Sequence, residues 1–172
     1  MSKATEKKYV NIAVLTVSDT RTMDTDTSGA LLDKRIRDAG HQLIDRKIVP
    51  DNIQSIRDTV SGWISDANVD VIISTGGTGL TGRDITPEAI RPLFDKELDG
   101  FSVVFHQVSF ESIGVSTLQS RAFAGIADGI FIFCLPGSNG AVKDGWDKII
   151  RFELDSTHKP CNLVEIMPRL CE

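Results

Sequence analysis

An apolar run passes directly into a glycine-rich loop at Val71-Ile72-Ile73-Ser74-Thr75-Gly76-Gly77-Thr78-Gly79. The run is short and rich in β-branched residues, which is typical of a buried strand. After the loop, Thr86 and Pro87 predict the start of a helix, with Thr86 as the N-cap and Pro87 at the first helical position. A strand, a loop and a helix in this order predict one unit of an α/β fold.

The same order of elements recurs on both sides of this stretch. Apolar runs predict further strands at residues 9–17, 41–49 and 130–135. Helical spacing of apolar residues predicts helices at residues 28–39, 53–67, 101–108 and 142–150. We also predict an Ala-rich helix that starts after Arg121, and a short edge strand at residues 163–167. Together these elements predict a three-layer α/β fold, a mostly parallel sheet with helices on both faces.

The bulk composition is that of an ordinary globular protein, with 172 residues of which 41% are hydrophobic and 25% charged. We therefore predict a single domain over residues 1–172, with a polar N-terminal extension at residues 1–8. Lys and Arg number 19 against 24 Asp and Glu, a net charge of −5, which argues against a nucleic-acid partner. No run approaches the roughly 18 apolar residues of a membrane span, and the N-terminus is polar, so we expect a cytoplasmic protein without membrane contact.

The three cysteines suggest neither a disulfide framework nor a zinc site. Cys134, Cys161 and Cys171 are odd in number and widely spaced, and no C-x-x-C pair occurs. We expect buried or unreactive thiols.

Three loops at predicted strand ends are candidates for the functional site: residues 18–20, 76–84 and 136–140. In a parallel sheet, ligands bind beyond the carboxyl ends of the strands. The middle loop has four glycines within residues 76–82, so backbone N–H groups can approach an anion without a Cβ in the way. A phosphate is the expected ligand, and a flexible turn is the alternative for such a loop taken alone.

Residues 77–82 match the G-x-G-x-x-G fingerprint of dinucleotide-binding proteins, but their surroundings do not support the match. The fingerprint opens a helix directly after the first strand, whereas this loop follows the third strand and stands apart from the next helix. A P-loop is excluded because no Gly-Lys-Ser or Gly-Lys-Thr follows the glycines. No Ser-His-Asp or Cys-His arrangement is evident, so covalent hydrolytic catalysis has no support.

Two acidic residues are candidates for metal binding. Asp51 precedes the helix predicted at residues 53–67, where an N-cap or turn role is the alternative. Asp84 lies between the glycine-rich loop and a helix that already has Thr86 as its cap, so it has no evident capping duty. Both loops lie at the same edge of the predicted sheet, and two carboxylates beside a phosphate-binding loop are a natural Mg²⁺ site.

Two basic residues are candidates for phosphate binding. The guanidinium of Arg121, next to Ser120, can bind a phosphate through two N–H groups, and a surface ion pair is the alternative. Lys143, on the first turn of the helix predicted after Gly140, leaves the same two alternatives open.

Four motifs together resemble a known family: Ile73-Ser74-Thr75-Gly76-Gly77-Thr78-Gly79, Arg83-Asp84-Ile85-Thr86-Pro87-Glu88-Ala89, Leu118-Gln119-Ser120-Arg121 and Leu135-Pro136-Gly137-Ser138. They are similar to the MoaB/MogA family of molybdenum cofactor biosynthesis, whose eukaryotic members include the gephyrin G domain. The resemblance extends from about residue 10 to about residue 164, and the loops at residues 26–29, 116–121 and 159–162 resemble the MoaB branch most closely. Residues 138–140 are Ser-Asn-Gly where other members often have Asn-Pro, which leaves the contact of Asn139 open.

The resemblance implies a molybdopterin-binding protein that uses Mg²⁺ and ATP to adenylylate the terminal phosphate of molybdopterin. It implies Asp51 and Asp84 as catalytic and metal-binding residues. The residues assigned to the ligands are Ser18, Gly76, Gly77, Thr78, Gly79, Ser120, Arg121, Pro136, Gly137 and Ser138. A non-catalytic molybdopterin-binding homologue, acting as a carrier or assembly protein in the same pathway, is the alternative. An unrelated nucleotide-binding module is a third possibility.

The resemblance also implies a homotrimer or hexamer, and contact with other proteins of the pathway. We expect the apolar stripe of Phe101, Val104, Phe105 and Val108 to lie in the subunit contact. We further expect Gly77→Val to weaken ligand binding and to leave the melting temperature nearly unchanged, because a Cβ would obstruct the anion without unfolding the sheet.

Overall fold

A six-stranded sheet with strand order β2-β1-β3-β6-β5-β4 organises the computed structural model, which describes residues 6–172. The strands are β1 Asn11–Val17, β2 Gln42–Val49, β3 Val71–Thr75, β4 Lys96–Glu97, β5 Phe123–Ala127 and β6 Ile130–Leu135. The helices are α1 Thr27–Asp38, α2 Ile53–Ile64, α3 Thr86–Ile90, α4 Asp99–Ile113, α5 Asn139–Gly145, α6 Arg151–Glu153 and α7 Leu163–Ile166. Short 3₁₀ helices span Arg91–Leu93, Gly114–Gln119 and Met167–Arg169, and a π-helical segment follows α5 at Trp146–Ile150.

The central strands are apolar almost throughout because helices cover both faces of the sheet. In β1, Ile12 and Val14 face the core that contains residues of α1, α4 and α5. Ala13 and Leu15 face the opposite core, which contains residues of α2 and α3. Strands β2, β1, β3 and β6 pair in parallel. The predicted three-layer, mostly parallel α/β architecture is therefore confirmed.

The Ala-rich helix predicted after Arg121 is wrong, because this stretch forms β5, antiparallel to β6. A glycine is required at the centre of β5, because a Cβ on Gly125 would collide with the side chain of Phe94. Asp128 and Gly129 connect β5 to β6, with φ of 46° and 80°. An Asp-Gly pair with positive φ at both positions is a strong hairpin signal, and this pair was the available sign of the β5–β6 hairpin. The two-residue β4 then extends the sheet antiparallel to β5.

Two predicted local structures also differ from the structure. Residues 163–167 were expected to form an edge strand, but Leu163–Ile166 is helical because the Asn162 side chain accepts the backbone N–H of Glu165 at 3.0 Å as an N-cap. Thr86 was expected to cap α3, but it lies inside the helix and Ile85 precedes it. The Thr86 hydroxyl donates to the Gly76 carbonyl at 2.9 Å, so it holds the glycine-rich loop rather than the helix end.

Only part of the apolar stripe assigned to subunit contact lies on the surface, where Val104 is exposed. Phe101 and Phe105 are 5% and 1% exposed because they pack in the core against the sheet. The strongly exposed apolar side chains of α4 and of the following 3₁₀ helix lie elsewhere: Val103, Phe110, Ile113, Val115 and Leu118. The helix was predicted correctly, but Phe101 and Phe105 of the stripe pack in the core instead of at the surface.

Of the extension predicted at residues 1–8, residues 1–5 lie outside the described part of the chain. Lys7 is tied to Asp155 by an ion pair of 3.0 Å, and the Lys8 N–H donates to the Ser156 hydroxyl at 2.8 Å. Cys134 is buried, while Cys161 and Cys171 are exposed. Within residues 6–172, no helix has both the length and the apolar character that crossing a membrane requires.

Candidate functional site

Three loops meet beyond the carboxyl ends of β1, β3 and β6. Thr75 at the end of β3 pairs with Thr16 of β1 on one side and with Leu135 of β6 on the other, so the loops that follow start side by side. They border a cavity of about 690 Å³. The predicted site residues that line it are Ser18, Asp51, Gly76, Gly77, Thr78, Gly79, Asp84, Ser120, Pro136, Gly137 and Ser138.

The first two glycines of the loop are required by its backbone conformation. Gly76 and Gly77 have φ of 103° and 67°, in the region that favours glycine. A Cβ on Gly76 would collide with the carbonyl oxygen of Val17, and a Cβ on Gly77 would collide with the Thr86 hydroxyl. Gly77→Val would therefore strain the fold itself, so the expectation of an unchanged melting temperature does not agree with this geometry.

Thr78 of this loop lines the cavity and carries a buried polar group. The hydroxyl of Thr78 is buried and has no hydrogen-bond partner within residues 6–172. A buried hydroxyl without a partner is costly, so it is a group that a bound ligand can satisfy. On the neighbouring loop, an ideal Cβ on Gly137 would lie 3.1 Å from the Cα of Gly76, so the two loops pack backbone against backbone. The Thr75 hydroxyl joins them by donating to the Pro136 carbonyl at 3.0 Å.

Asp84 is held in place by its own loop. Its carboxylate accepts hydrogen bonds from the Thr81 N–H at 2.8 Å and from the Thr81 hydroxyl at 2.7 Å. An ideal Cβ on Gly79 would lie 2.7 Å from Asp84 Oδ2, so the carboxylate stands directly over that glycine. Burial acts to raise the pKa of Asp84, but the hydrogen bonds from Thr81 and Gly79 and the charge of Arg121 together outweigh it, and the pKa lies below its ordinary value. The side chain is therefore anionic at neutral pH.

Asp51 has a different environment. The N-cap of α2 is Asn52, which accepts the Ser55 N–H at 3.0 Å, so Asp51 does not have the capping role that was its alternative. Burial, followed by the nearby Asp19 carboxylate, raises the pKa of Asp51, and the Asp84 carboxylate adds a smaller contribution of the same sign. A carboxylate in this position gains from a cation, because a cation offsets both the neighbouring negative charge and the cost of burial.

Arg121 lies behind the glycine-rich loop and does not line the cavity. Its Nε donates to the Gly79 carbonyl at 2.8 Å, and its Nη2 donates to the Asp84 carbonyl at 2.7 Å. The rest of the guanidinium forms an ion pair with Glu88. The guanidinium donors are thus directed at protein acceptors. Phosphate binding by Arg121 stays a prediction without geometric support.

One wall of the cavity was predicted from the sequence only at Lys143. It is formed by α4, the following 3₁₀ helix and α5, through Phe105, Ser109, Ser112, Ile113, Ser116, Gln119, Lys143 and Asp144. The serines recur at intervals of three and four residues, beside Phe105 on the same face. A polar stripe next to an apolar stripe on one helix was the available signal.

The donor chemistry of the site fits Mg²⁺ better than a metal that needs a complete protein cage. Within residues 6–172, no three His, Cys, Asp or Glu side chains come together as a ligand set. Mg²⁺ commonly binds one or two carboxylates and completes its shell with water and substrate phosphates. Asp51 and Asp84 lining one cavity fit an ion of this kind.

Comparisons with known proteins agree on one family. A model described as a probable molybdopterin binding domain matches residues 13–156. Molybdenum cofactor biosynthesis protein B of Escherichia coli K12 is 49% identical over 159 residues, which are 92% of this chain and 94% of that protein. A crystal structure of molybdenum cofactor biosynthesis protein B superposes with a TM-score of 0.83 at 42% identity, over 86% of this chain and 92% of that chain. The tungsten cofactor synthesizing protein MoaB from Pyrococcus furiosus gives a TM-score of 0.75 at 40% identity, over 83% and 91% of the two chains.

Proposed function

The chain belongs to the molybdopterin-binding family of molybdenum cofactor biosynthesis proteins, and from this membership we propose that it adenylylates the terminal phosphate of molybdopterin with Mg-ATP. The names of its relatives support a role in molybdenum cofactor biosynthesis. The observation that carries the finer proposal is the meeting of the glycine-rich loop with Asp51 and Asp84 in one cavity.

The reaction needs no side-chain nucleophile. An oxygen of the pterin phosphate attacks the α-phosphorus of ATP, the bond from that phosphorus to the bridging oxygen breaks, and pyrophosphate leaves. The attacking phosphate is already anionic at neutral pH, so it requires no general base. The protein then contributes positioning and stabilisation of negative charge. The lack of a Ser-His-Asp or Cys-His arrangement in the sequence is compatible with such a reaction.

Each part of the cavity has a role in this scheme. Residues 76–79 offer backbone N–H groups, and Thr78 offers a buried hydroxyl, to phosphate oxygens. Asp51 and Asp84 would hold Mg²⁺, which when bound neutralises charge on the transferring phosphate. Asp84 is already anionic and fixed by Thr81. Asp51 is the carboxylate that gains most from the ion, because its pKa is raised without one.

We assign Arg121 a positioning role, in place of the phosphate-binding role implied by the resemblance. Its guanidinium holds the backbone on both sides of the loop, at Gly79 and Asp84. Through these bonds it fixes the carboxylate of Asp84 relative to the glycines.

We also propose that the chain forms the closed homotrimer or hexamer that the resemblance implies. The contact surface in this proposal consists of Val103, Phe110, Val115 and Leu118, which are exposed. Large apolar side chains exposed on a surface are typical of protein contacts when they are contiguous.

The test is pyrophosphate release by purified protein supplied with molybdopterin, ATP and Mg²⁺, and with each omitted in turn. We expect turnover with all three, and a loss on the order of a hundredfold or more in Asp84→Asn and Asp51→Asn with molybdopterin affinity kept within severalfold. Asp38→Asn, on the outer surface of α1, is the matched control for loss of one carboxylate. Molybdopterin binding without any turnover would favour the carrier or assembly protein, and absence of both would refute the assignment.

A further inference from the structure

The charged side chains that line the cavity are not equally paired. Arg83 forms an ion pair with Asp19. Asp144 accepts a hydrogen bond from the Ser112 hydroxyl at 2.9 Å and forms an ion pair with Lys148 at 3.0 Å. Lys143 lines the same cavity, yet it has no ion pair and no side-chain hydrogen bond within the part of the chain that the structure describes. Its ammonium group is therefore the cation of this cavity that no protein anion neutralises.

The adjacent carboxylate does not pair with Lys143. Asp144 is the adjacent residue, but Ser112 and Lys148 already satisfy its carboxylate, and Asp144 is only 7% exposed. A second cation therefore gains little from it. Lys143 itself is exposed on the side of α5 that borders the cavity. A long side chain with this freedom can reach a ligand at small cost in strain.

The unpaired charges come from different loops. Asp51 and Asp84 follow β2 and β3, whereas Lys143 follows β6. Two unpaired carboxylates repel a phosphate, and a divalent ion held by them offsets their two negative charges but leaves no positive charge over for the phosphates themselves. A substrate pair that brings several phosphates into one cavity needs a further positive charge, and Lys143 is the free one.

We propose that Lys143 binds a phosphate group of the substrates, a monoester or polyphosphate oxygen, and so sets the affinity of the cavity for a phosphorylated ligand. The inference deepens the proposed function and rests on it. The ammonium group acts by charge and hydrogen bonding alone, so arginine can replace it in part and alanine cannot.

The experiment measures dissociation constants for molybdopterin alone and for Mg-ATP alone, at low and at high salt. The proteins are wild type, Lys143→Ala, Lys143→Arg and Lys34→Ala. Lys34→Ala is the matched control, because this substitution removes one positive charge from the exposed face of α1, where Lys34 pairs with Asp38. We expect Lys143→Ala to bind one of the two ligands about tenfold more weakly at low salt, with a shallower dependence on salt, and Lys143→Arg to recover part of the loss.

The two ligands distinguish the two sources of phosphate. A loss confined to molybdopterin assigns Lys143 to the pterin phosphate, and a loss confined to Mg-ATP assigns it to the nucleotide. Equal affinity of wild type and Lys143→Ala for both ligands overturns the inference and leaves the proposed function standing. If the wild-type protein binds neither ligand, both the inference about Lys143 and the proposed function are overturned.

Discussion

Replacing Arg121 by Met tests whether this residue holds the site together from behind. The substitution keeps an unbranched side chain and removes the guanidinium, so the carbonyls of Gly79 and Asp84 lose donors at 2.8 and 2.7 Å. A hydrogen bond from a charged group contributes about 1.5–3 kcal/mol. The Arg121 side chain is 32% exposed, so the lower value applies to each bond, and we expect the free energy of unfolding to fall by about 3 kcal/mol.

The ion pair with Glu88 supplies the control. The Glu88 side chain is 48% exposed, and exposed pairs contribute only about 0–1 kcal/mol, so Glu88→Gln should cost less than about 1 kcal/mol. Urea unfolding followed by Trp63 and Trp146 fluorescence, at one fixed protein concentration, measures both changes. Arg121→Met should also require more Mg²⁺ for half-maximal turnover, because Asp84 loses its support. Equal stability of the two variants would refute the positioning role.

Lowering the pH should decrease the free energy of unfolding through protonation of His41, which is buried and accepts the Val10 N–H through Nδ1 at 3.2 Å. Burial lowers the pKa of His41, so the unfolded chain takes up more protons, and stability should fall as pH drops through about 6.5. His41→Asn keeps an acceptor without titrating, and an unchanged slope between pH 8 and 5.5 in that variant would contradict the assignment. Gly77→Ala should lower the melting temperature even without ligand, because φ is 67°, and a normal melting curve would count against the geometry of the loop. Phe110→Glu should reduce the mass found by light scattering whereas Ile166→Glu should not, and an unchanged mass for Phe110→Glu would place the subunit contact elsewhere.

The sequence was most informative where one local rule was enough. The buried strands at β1, β3 and β6 were predictable because both of their faces are covered, which leaves continuous apolar runs. It failed at β5, where the alanines were interpreted as a helix start and where Gly125 in fact accommodates the ring of Phe94. It failed again at α7, where the Asn162 cap outweighs an apolar run of strand length.

The candidate site also has a part that the sequence predicts and a part that it does not. The loops at Ser18, Gly76 and Pro136 could be predicted as neighbours because parallel topology brings strand ends to one edge. The wall formed by α4 could not, because its position depends on how that helix packs against the sheet and α5; on α5 only Lys143 was a candidate. Arg121 shows a further limit, since a motif identifies the residue without revealing that its guanidinium points toward Glu88 and the loop backbone.

The cavity lining begins at Val17 and ends at Asp144, so it draws on loops and helices from most of the chain. No fragment that lacks one of these stretches can present the complete site, and the unfolded chain presents none of it. By mass action, a ligand that binds only the native form stabilises the entire cooperative unit, by about 2.7 kcal/mol at a hundredfold excess over its dissociation constant. The supply of substrate would then determine how much of the protein survives heat or proteolysis. The ligand-free protein would be the form that is degraded fastest in the cell.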